Sequence, residues 1–251
     1  IKTKLKSGIS AYRTGFSARS LVQLAPDTIL VKNESYKKEY GFIIRDQLVD
    51  SIEMNLCDFN RSSLSGSPRA VWGIDNPALA RYDIGEDDCQ QMEGSPDVKQ
   101  VRYFAEDRLI LLDLSDRYWE FTPSKKTFTP IMTAGKHLQI NTDFQDYIID
   151  REGRLWIVCH KGLYCYDFNT EKLTHINAMV KNFDFDLTTI IQIDQEEFLL
   201  GSYRHGVVLY NNEDYTVQTI TTRQGLSDNT VASITADANG YYWVATYNGV
   251  S

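Results

Sequence analysis

Apolar residues along this chain fall in short runs, separated by polar clusters rich in Asp, Asn and Gly. Runs that brief, bounded by turn residues and rich in aromatic and β-branched side chains, predict strands rather than helices. Three stretches repeat the same pattern without a gap: Asp150 to Gly162, Asp194 to Gly206 and Asp237 to Gly249. Each places a Gly 12 residues after its Asp, and successive copies are offset by 44 and 43 residues.

One copy reads directly as structure. Asp150-x-x-Gly153 and Asp237-x-x-Gly240 are tight turns, in which Asp caps its own backbone and Gly accepts positive φ. Leu155-Trp156-Ile157-Val158 then predicts a strand buried on both faces, with Trp156 and Trp243 as core residues at a repeating position. Two residues and a Gly follow, at His160-Lys161-Gly162, Arg204-His205-Gly206 and Tyr247-Asn248-Gly249, and this is hairpin-turn chemistry. A third strand carries Tyr166 or Tyr210, a polar turn such as 169–172 comes next, and a last strand runs from Leu173 to Ile176. Ahead of each Asp lies a further apolar strand: 147–149, 190–193 and 231–234. Four short strands in about 43 residues make one blade of a β-propeller. Asp150, Asp194 and Asp237 therefore recur as turn formers, not as acids with chemical work to do.

Blurred copies reach toward the amino end: 109–114 with 118–121 and 127–131, then Ala70-Val71-Trp72-Gly73 with Tyr82, then 21–24, 28–31 and 40–42. The expectation is an all-β chain, a single propeller region over 1–251 with five whole blades and partial blades at 1–14 and 225–251. Since each blade buries its faces only against its neighbours, this is expected to be an incomplete piece of a six- or seven-bladed, or double, propeller.

Composition adjusts this picture little. Apolar residues make up 42 %, enough for a large core, and no Gly, Ser or charged tract marks a linker. The net charge of −8 argues against nucleic acid or an anionic membrane surface as partner. Lys2, Lys4 and Lys6 read as an edge strand. No apolar run approaches a membrane span, so membrane contact would come only through a transmembrane segment missing from this sequence. Ile1 in place of Met predicts that the true start was removed or lies upstream. Cys57, Cys89, Cys159 and Cys165 lack metal-type spacing and are expected to be free thiols packed as small core residues.

Candidate chemistry is sparse. His137, His160, His175 and His205 are scattered, and neither a metal site nor a cofactor is expected. No acid is singled out as half of a glycosidase pair. Topology does gather one set: in a four-stranded blade, the turn between strands two and three lies at the same end as the segment joining blades. That end would carry His160, Lys161, Tyr203, Arg204, His205, Tyr247 and Asn248, beside the joining segment 223–229. Aromatic faces next to hydrogen-bond donors suit sugar rings, and Arg or Lys suits acidic ones.

The stretch Gly225-Leu226-Ser227-Asp228-Asn229-Thr230-Val231, with Ser233-Ile234, Asp237, Gly240, Trp243, Thr246 and Gly249, resembles the two-component regulator propeller repeat. The resemblance is strong over 144–251 and fainter over 15–131. It implies a periplasmic, non-catalytic sensor propeller of a Bacteroidetes hybrid two-component kinase, whose kinase lies in domains outside this sequence. It further implies an oligosaccharide or other small polar ligand, control of polysaccharide-utilisation genes, and dimerisation through the full-length receptor. The rival expectations are an extracellular polysaccharide lyase or glycosidase, and a protein-interaction scaffold.

Overall fold

A computed structural model describes the backbone of the strands between residues 2 and 67. It describes whole residues from 70 onward, except 84, 85, 87, 105, 106, 141, 142, 182 and 237–239. Apart from 3-10 turns at Ile176–Ala178 and Thr222–Gln224, the regular structure among these residues is all strand. Contacts group the chain into two units, residues 1–131 with 137–139, and 132–136 with 140–251.

In the first unit β1 (Lys2–Lys4) pairs antiparallel with β2 (Ser10–Tyr12). Three four-stranded antiparallel meanders follow. They are β3 (Ala18–Ala25), β4 (Thr28–Asn33), β5 (Tyr40–Arg45) and β6 (Leu48–Glu53); then β7 (Ser65–Ser67), β8 (Ala70–Asp75), β9 (Ala78–Asp83) and β10 (Asp88–Gln91); then β11 (Val98–Phe104), β12 (Arg108–Asp113), β13 (Tyr118–Thr122) and β14 (Thr127–Pro130). A short hairpin comes next, β15 (Met132–Thr133) and β16 (Lys136–His137). The second unit holds β17 (Phe144–Ile149), β18 (Leu155–Cys159), β19 (Gly162–Asp167) and β20 (Lys172–His175). It continues with β21 (Leu187–Gln192), β22 (Glu197–Ser202), β23 (Val207–Asn211) and β24 (Thr216–Ile220). A three-stranded sheet of β25 (Val231–Ala236), β26 (Tyr242–Thr246) and β27 (Gly249–Val250) closes it.

Burial explains why the second strand of each sheet is so apolar. All five residues of β18 are buried, because both faces of that strand are covered. The Trp156 ring lies 4.5 Å from Phe198 and 6.0 Å from Tyr210 of the following sheet. Val158, Leu163, Leu200 and Val208 fill the same layer, and Ile176, Val180 and Phe183 of the joining segment seal it. First strands are tied to one another by polar groups instead. Asp146 accepts from Thr189 Oγ1 at 2.9 Å and from the Ile190 N–H at 3.2 Å, and Thr188 Oγ1 donates to the Val231 carbonyl at 2.8 Å. These ties sit beside a bulge that recurs in β3, β11, β17, β21 and β25.

The Asp150 turn does more than reverse the chain. Its carboxylate accepts from the N–H groups of Glu152 and Arg154, from Arg154 Nε at 2.6 Å and from Trp156 Nε1 at 2.7 Å. The buried indole N–H is thereby satisfied, and the Arg154 guanidinium lies 5.7 Å from the ring centre. Asp113 builds the same clamp with Ser115, Arg117 and Trp119, although the sequence pattern does not align there. It sits between the second and third strands of its sheet, whereas the Asp150 clamp sits between the first and second. Asp116 takes the left-handed conformation (φ 61°) that Gly153 supplies in the other clamp.

Four expectations need correction or a limit. Ile193, not Asp194, holds the position of Asp150: its N–H pairs with the Glu197 carbonyl at 2.9 Å, as that of Asp150 pairs with Arg154. Asp194 is exposed, and the turn has the same length as the Asp150 turn but starts one residue earlier than the pattern places it, so the gap-free alignment is off by one in this copy. Trp243 is 42 % exposed against 0 % for Trp156, so the repeating position does not by itself bury the ring. Cys89 is disulfide-bonded, while Cys159 and Cys165 are free. Asp237, Lys6 and Cys57 lie outside the described residues.

Trp156→Ala should lower unfolding free energy by about 3–5 kcal/mol in urea titrations, and Trp243→Ala by about 1 kcal/mol or less. Burial opposes ionisation of Asp113, but the Trp119 indole N–H, the Arg117 and Ser115 backbone N–H groups and the Arg117 guanidinium outweigh it. Together they hold its carboxyl below the ordinary 3.8. A lowered folded value stabilises above the unfolded one and is lost as pH falls through it. Asp113→Asn should thus destabilise near neutrality and flatten the acid response of the melting midpoint between about pH 4 and 2. Denatured without reductant, Cys159 and Cys165 should react with iodoacetamide and Cys89 should not; after reduction, Cys89 should react as well. The Cys165 thiol, pushed up to about 12 chiefly by burial, should stay unreactive in the native protein.

Candidate functional site

In an antiparallel meander the turn between strands two and three falls at the same end as the segment leading to the next sheet. Hydrogen bonds stitch the two together in the second unit. His160 N–H donates to the Asp143 carbonyl at 2.8 Å, and the His160 carbonyl accepts from Leu187 at 2.9 Å. Tyr203 N–H donates to Asp186 at 2.7 Å, Gly206 to Asn229 at 2.8 Å and Tyr247 to Thr230 at 3.1 Å. Each turn is fixed against the joining segment beside it, so the three turns form one continuous end of this unit. Gly206 is needed there twice over, since φ is 77° and a Cβ would overlap the Ile220 carbonyl.

The joining segments are themselves pinned. Asn177 accepts from the Leu163 N–H at 2.9 Å and donates to the carbonyls of Lys161 (3.1 Å) and Phe183 (3.2 Å). Thr221 and Gln224 form a capping box around 222–224, left-handed Gly225 ends that turn, and Asn229 Oδ1 accepts from Thr222 at 2.8 Å.

The seven residues singled out from sequence form three groups. Tyr203, Arg204 and Tyr247 meet: the guanidinium lies 5.0 Å from the Tyr203 ring centre, and the two tyrosine rings are 6.3 Å apart, edge to face. His160 faces Asp186, with Nε2 3.4 Å from Oδ1. His205 packs edge-on against Phe185 at 5.5 Å. Lys161 and Asn248 stand exposed at their turn tips and join none of these groups. Asp186, Phe185 and Asn177 had no sequence signal, because they lie in joining segments outside the repeating pattern.

Tyr247 is 74 % exposed, as Tyr241 beside the same sheet is at 69 %, and Arg204 holds a left-handed φ of 79° at its turn. The result is an open, shallow surface of aromatic faces, cations and amide donors. Among the described residues no group of three His, Cys, Asp or Glu side chains is placed to hold a metal. The two described carboxylates with displaced values, Asp113 and Asp167, both shift down. No described helix is long and apolar enough to cross a membrane.

Sheets of this construction define a β-propeller, and comparison with solved structures agrees. The extracellular domain assigned to a hybrid two component system of B. thetaiotaomicron matches with a TM-score of 0.65 at 14 % identity, over 93 % of this chain and 37 % of that one. PorZ, a surface component of the type-IX secretion system of Porphyromonas gingivalis, matches at 0.66 and 11 %, over 93 % and 38 %. YCF48 bound to D1 peptide matches at 0.66 and 12 %, over 94 % and 76 %. The chain thus spans well under half the length of the first two. Residues 225–248 match the family described as two component regulator propeller, so the chain carries a repeat of that family on a propeller fold. No curated protein sequence matches it.

Proposed function

We propose that this chain is a non-catalytic, ligand-binding part of an extracytoplasmic sensor, and that its ligand is an oligosaccharide held at the turn end of the second unit. The observation that carries the reading is the pair formed by half-buried Tyr203 and exposed Tyr247 beside the Arg204 guanidinium, on a stitched surface. An exposed aromatic face is a fitting platform for the apolar face of a pyranose. The two-component regulator propeller repeat at 225–248 and the likeness to an extracellular sensor domain support the signalling side of the proposal. A disulfide at Cys89 suits an oxidising compartment, and the periplasm is the one we favour. The whole receptor would carry a membrane segment and a kinase, act as a dimer and control polysaccharide-utilisation genes. Ligand binding would bias its output by favouring one of two receptor states.

The test is a thermal-shift screen against plant, host and microbial oligosaccharides, followed by chromatography for products. A ligand at 100 times its dissociation constant adds about 2.7 kcal/mol, which raises the midpoint by roughly 5–10 °C. A saturable rise with one glycan class and no product is the expected outcome. Cleavage of the sugar would replace the reading with an enzyme, and a flat screen would remove the sugar site.

A further inference from the structure

Several arginines among the described residues are committed to acids. Arg81, Arg108, Arg117, Arg151 and Arg154 each lie within ion-pair distance of a carboxylate. Among the described residues, no carboxylate pairs with Arg204 or Arg223, and both belong to the turn end of the second unit. In a chain with 34 acidic and 26 basic residues, an arginine left without an acid is not short of candidates. Asp186, which bonds to the neighbouring Tyr203 N–H through its carbonyl, turns its carboxylate toward His160.

Arg204 is also held in place. Its backbone sits at φ 79°, a conformation that non-glycine residues adopt at a cost, next to Gly206 at 77°. Its guanidinium rests against Tyr203, 5.0 Å from the ring centre, and the Tyr203 ring meets that of Tyr247. A guanidinium stacked on an aromatic ring keeps its edge N–H groups free, and that edge is the fork that takes a carboxylate or a sulfate. The groove of about 280 Å³ lined by Arg154, Cys165, Lys172 and Tyr215 offers no such group, because Arg154 is committed to Asp150.

We infer that Arg204 is the anion-binding group of the turn end, and that the ligand class is an acidic saccharide, one bearing a uronate carboxylate or a sulfate ester. The charged group would meet the guanidinium edge while the sugar ring lies against Tyr203 or Tyr247, and Arg223 adds attraction at longer range. This rests on the turn end being a sugar site, so the experiment must separate the two claims.

Calorimetric titration of the chain would use uronate oligosaccharides from pectin and alginate, sulfated ones from carrageenan, and the carboxyl-reduced or desulfated counterpart of each. The same titrations would be run on Arg204→Gln and Arg204→Lys, with melting curves as the check on folding; Arg204 is exposed, so the midpoints should not move. The expected result is binding of acidic members of one series only. Affinity should fall about tenfold to a hundredfold in Arg204→Gln, partly recover in Arg204→Lys, and weaken as salt rises. Which series binds tells uronate from sulfate. Equal binding of acidic and neutral counterparts, unchanged in Arg204→Gln, would overturn the inference and leave the sugar site standing. Binding of neither kind would overturn both.

Discussion

The indole of Trp156 has to be satisfied in two directions at once. Its N–H, fully buried, requires an acceptor, and the Asp150 carboxylate provides one at 2.7 Å. Its rings require cover, and a four-stranded sheet can obtain that only from the next sheet, here through Phe198 and Tyr210. One side chain therefore couples the closure of a turn to the docking of a neighbour. Asp146, reaching across to Thr189 and Ile190, does the corresponding work near the first strands, where the contacts are polar. With the sheets locked by these means, the turns and joining segments are free to differ from copy to copy.

Much of the fold is legible in the sequence because turn chemistry and buried strands repeat together. Legibility fails where the backbone conformation is kept and the residue is not. Lys126, Glu171 and Tyr215 all adopt left-handed φ between 52° and 57° in corresponding turns between third and fourth strands, yet share no side-chain chemistry. The Asp113 clamp is invisible to an alignment of copies because it closes a different corner of its sheet. Asp194 misleads in the opposite way: the right residue type stands one place away from the position that does the pairing. Trp243 carries the repeat's signature, but its exposure depends on what packs beside it, which no local pattern reports.

The turn end of the second unit was legible in part for a topological reason. Alternation of strand direction fixes which turns share an end, so Tyr203 and Tyr247 could be placed together before any distance was known. The pairs that give the surface its character could not be placed. His160 meets Asp186 and His205 meets Phe185 across joining segments that lie outside the repeat. The disulfide at Cys89 is likewise a matter of spatial approach, which Cys spacing alone does not encode.

The two arginine-bearing turns between second and third strands show how one corner serves either stability or recognition. In the sheet of β11–β14, Arg117 is drawn inward: it donates to Asp113 at 2.7 Å and lies over Trp119, and its charge is spent within the turn. In the sheet of β21–β24, Ser202 replaces the clamp acid and closes the turn with a neutral hydrogen bond of 2.7 Å to the Gly206 carbonyl. With no carboxylate in the turn to claim it, Arg204 stacks on Tyr203 and keeps its charge directed at solvent. A neutral closure at this corner is thus what leaves a cation available to a ligand. The need for Gly206, the left-handed Arg204 and the exposed Tyr247 then belong to a single arrangement.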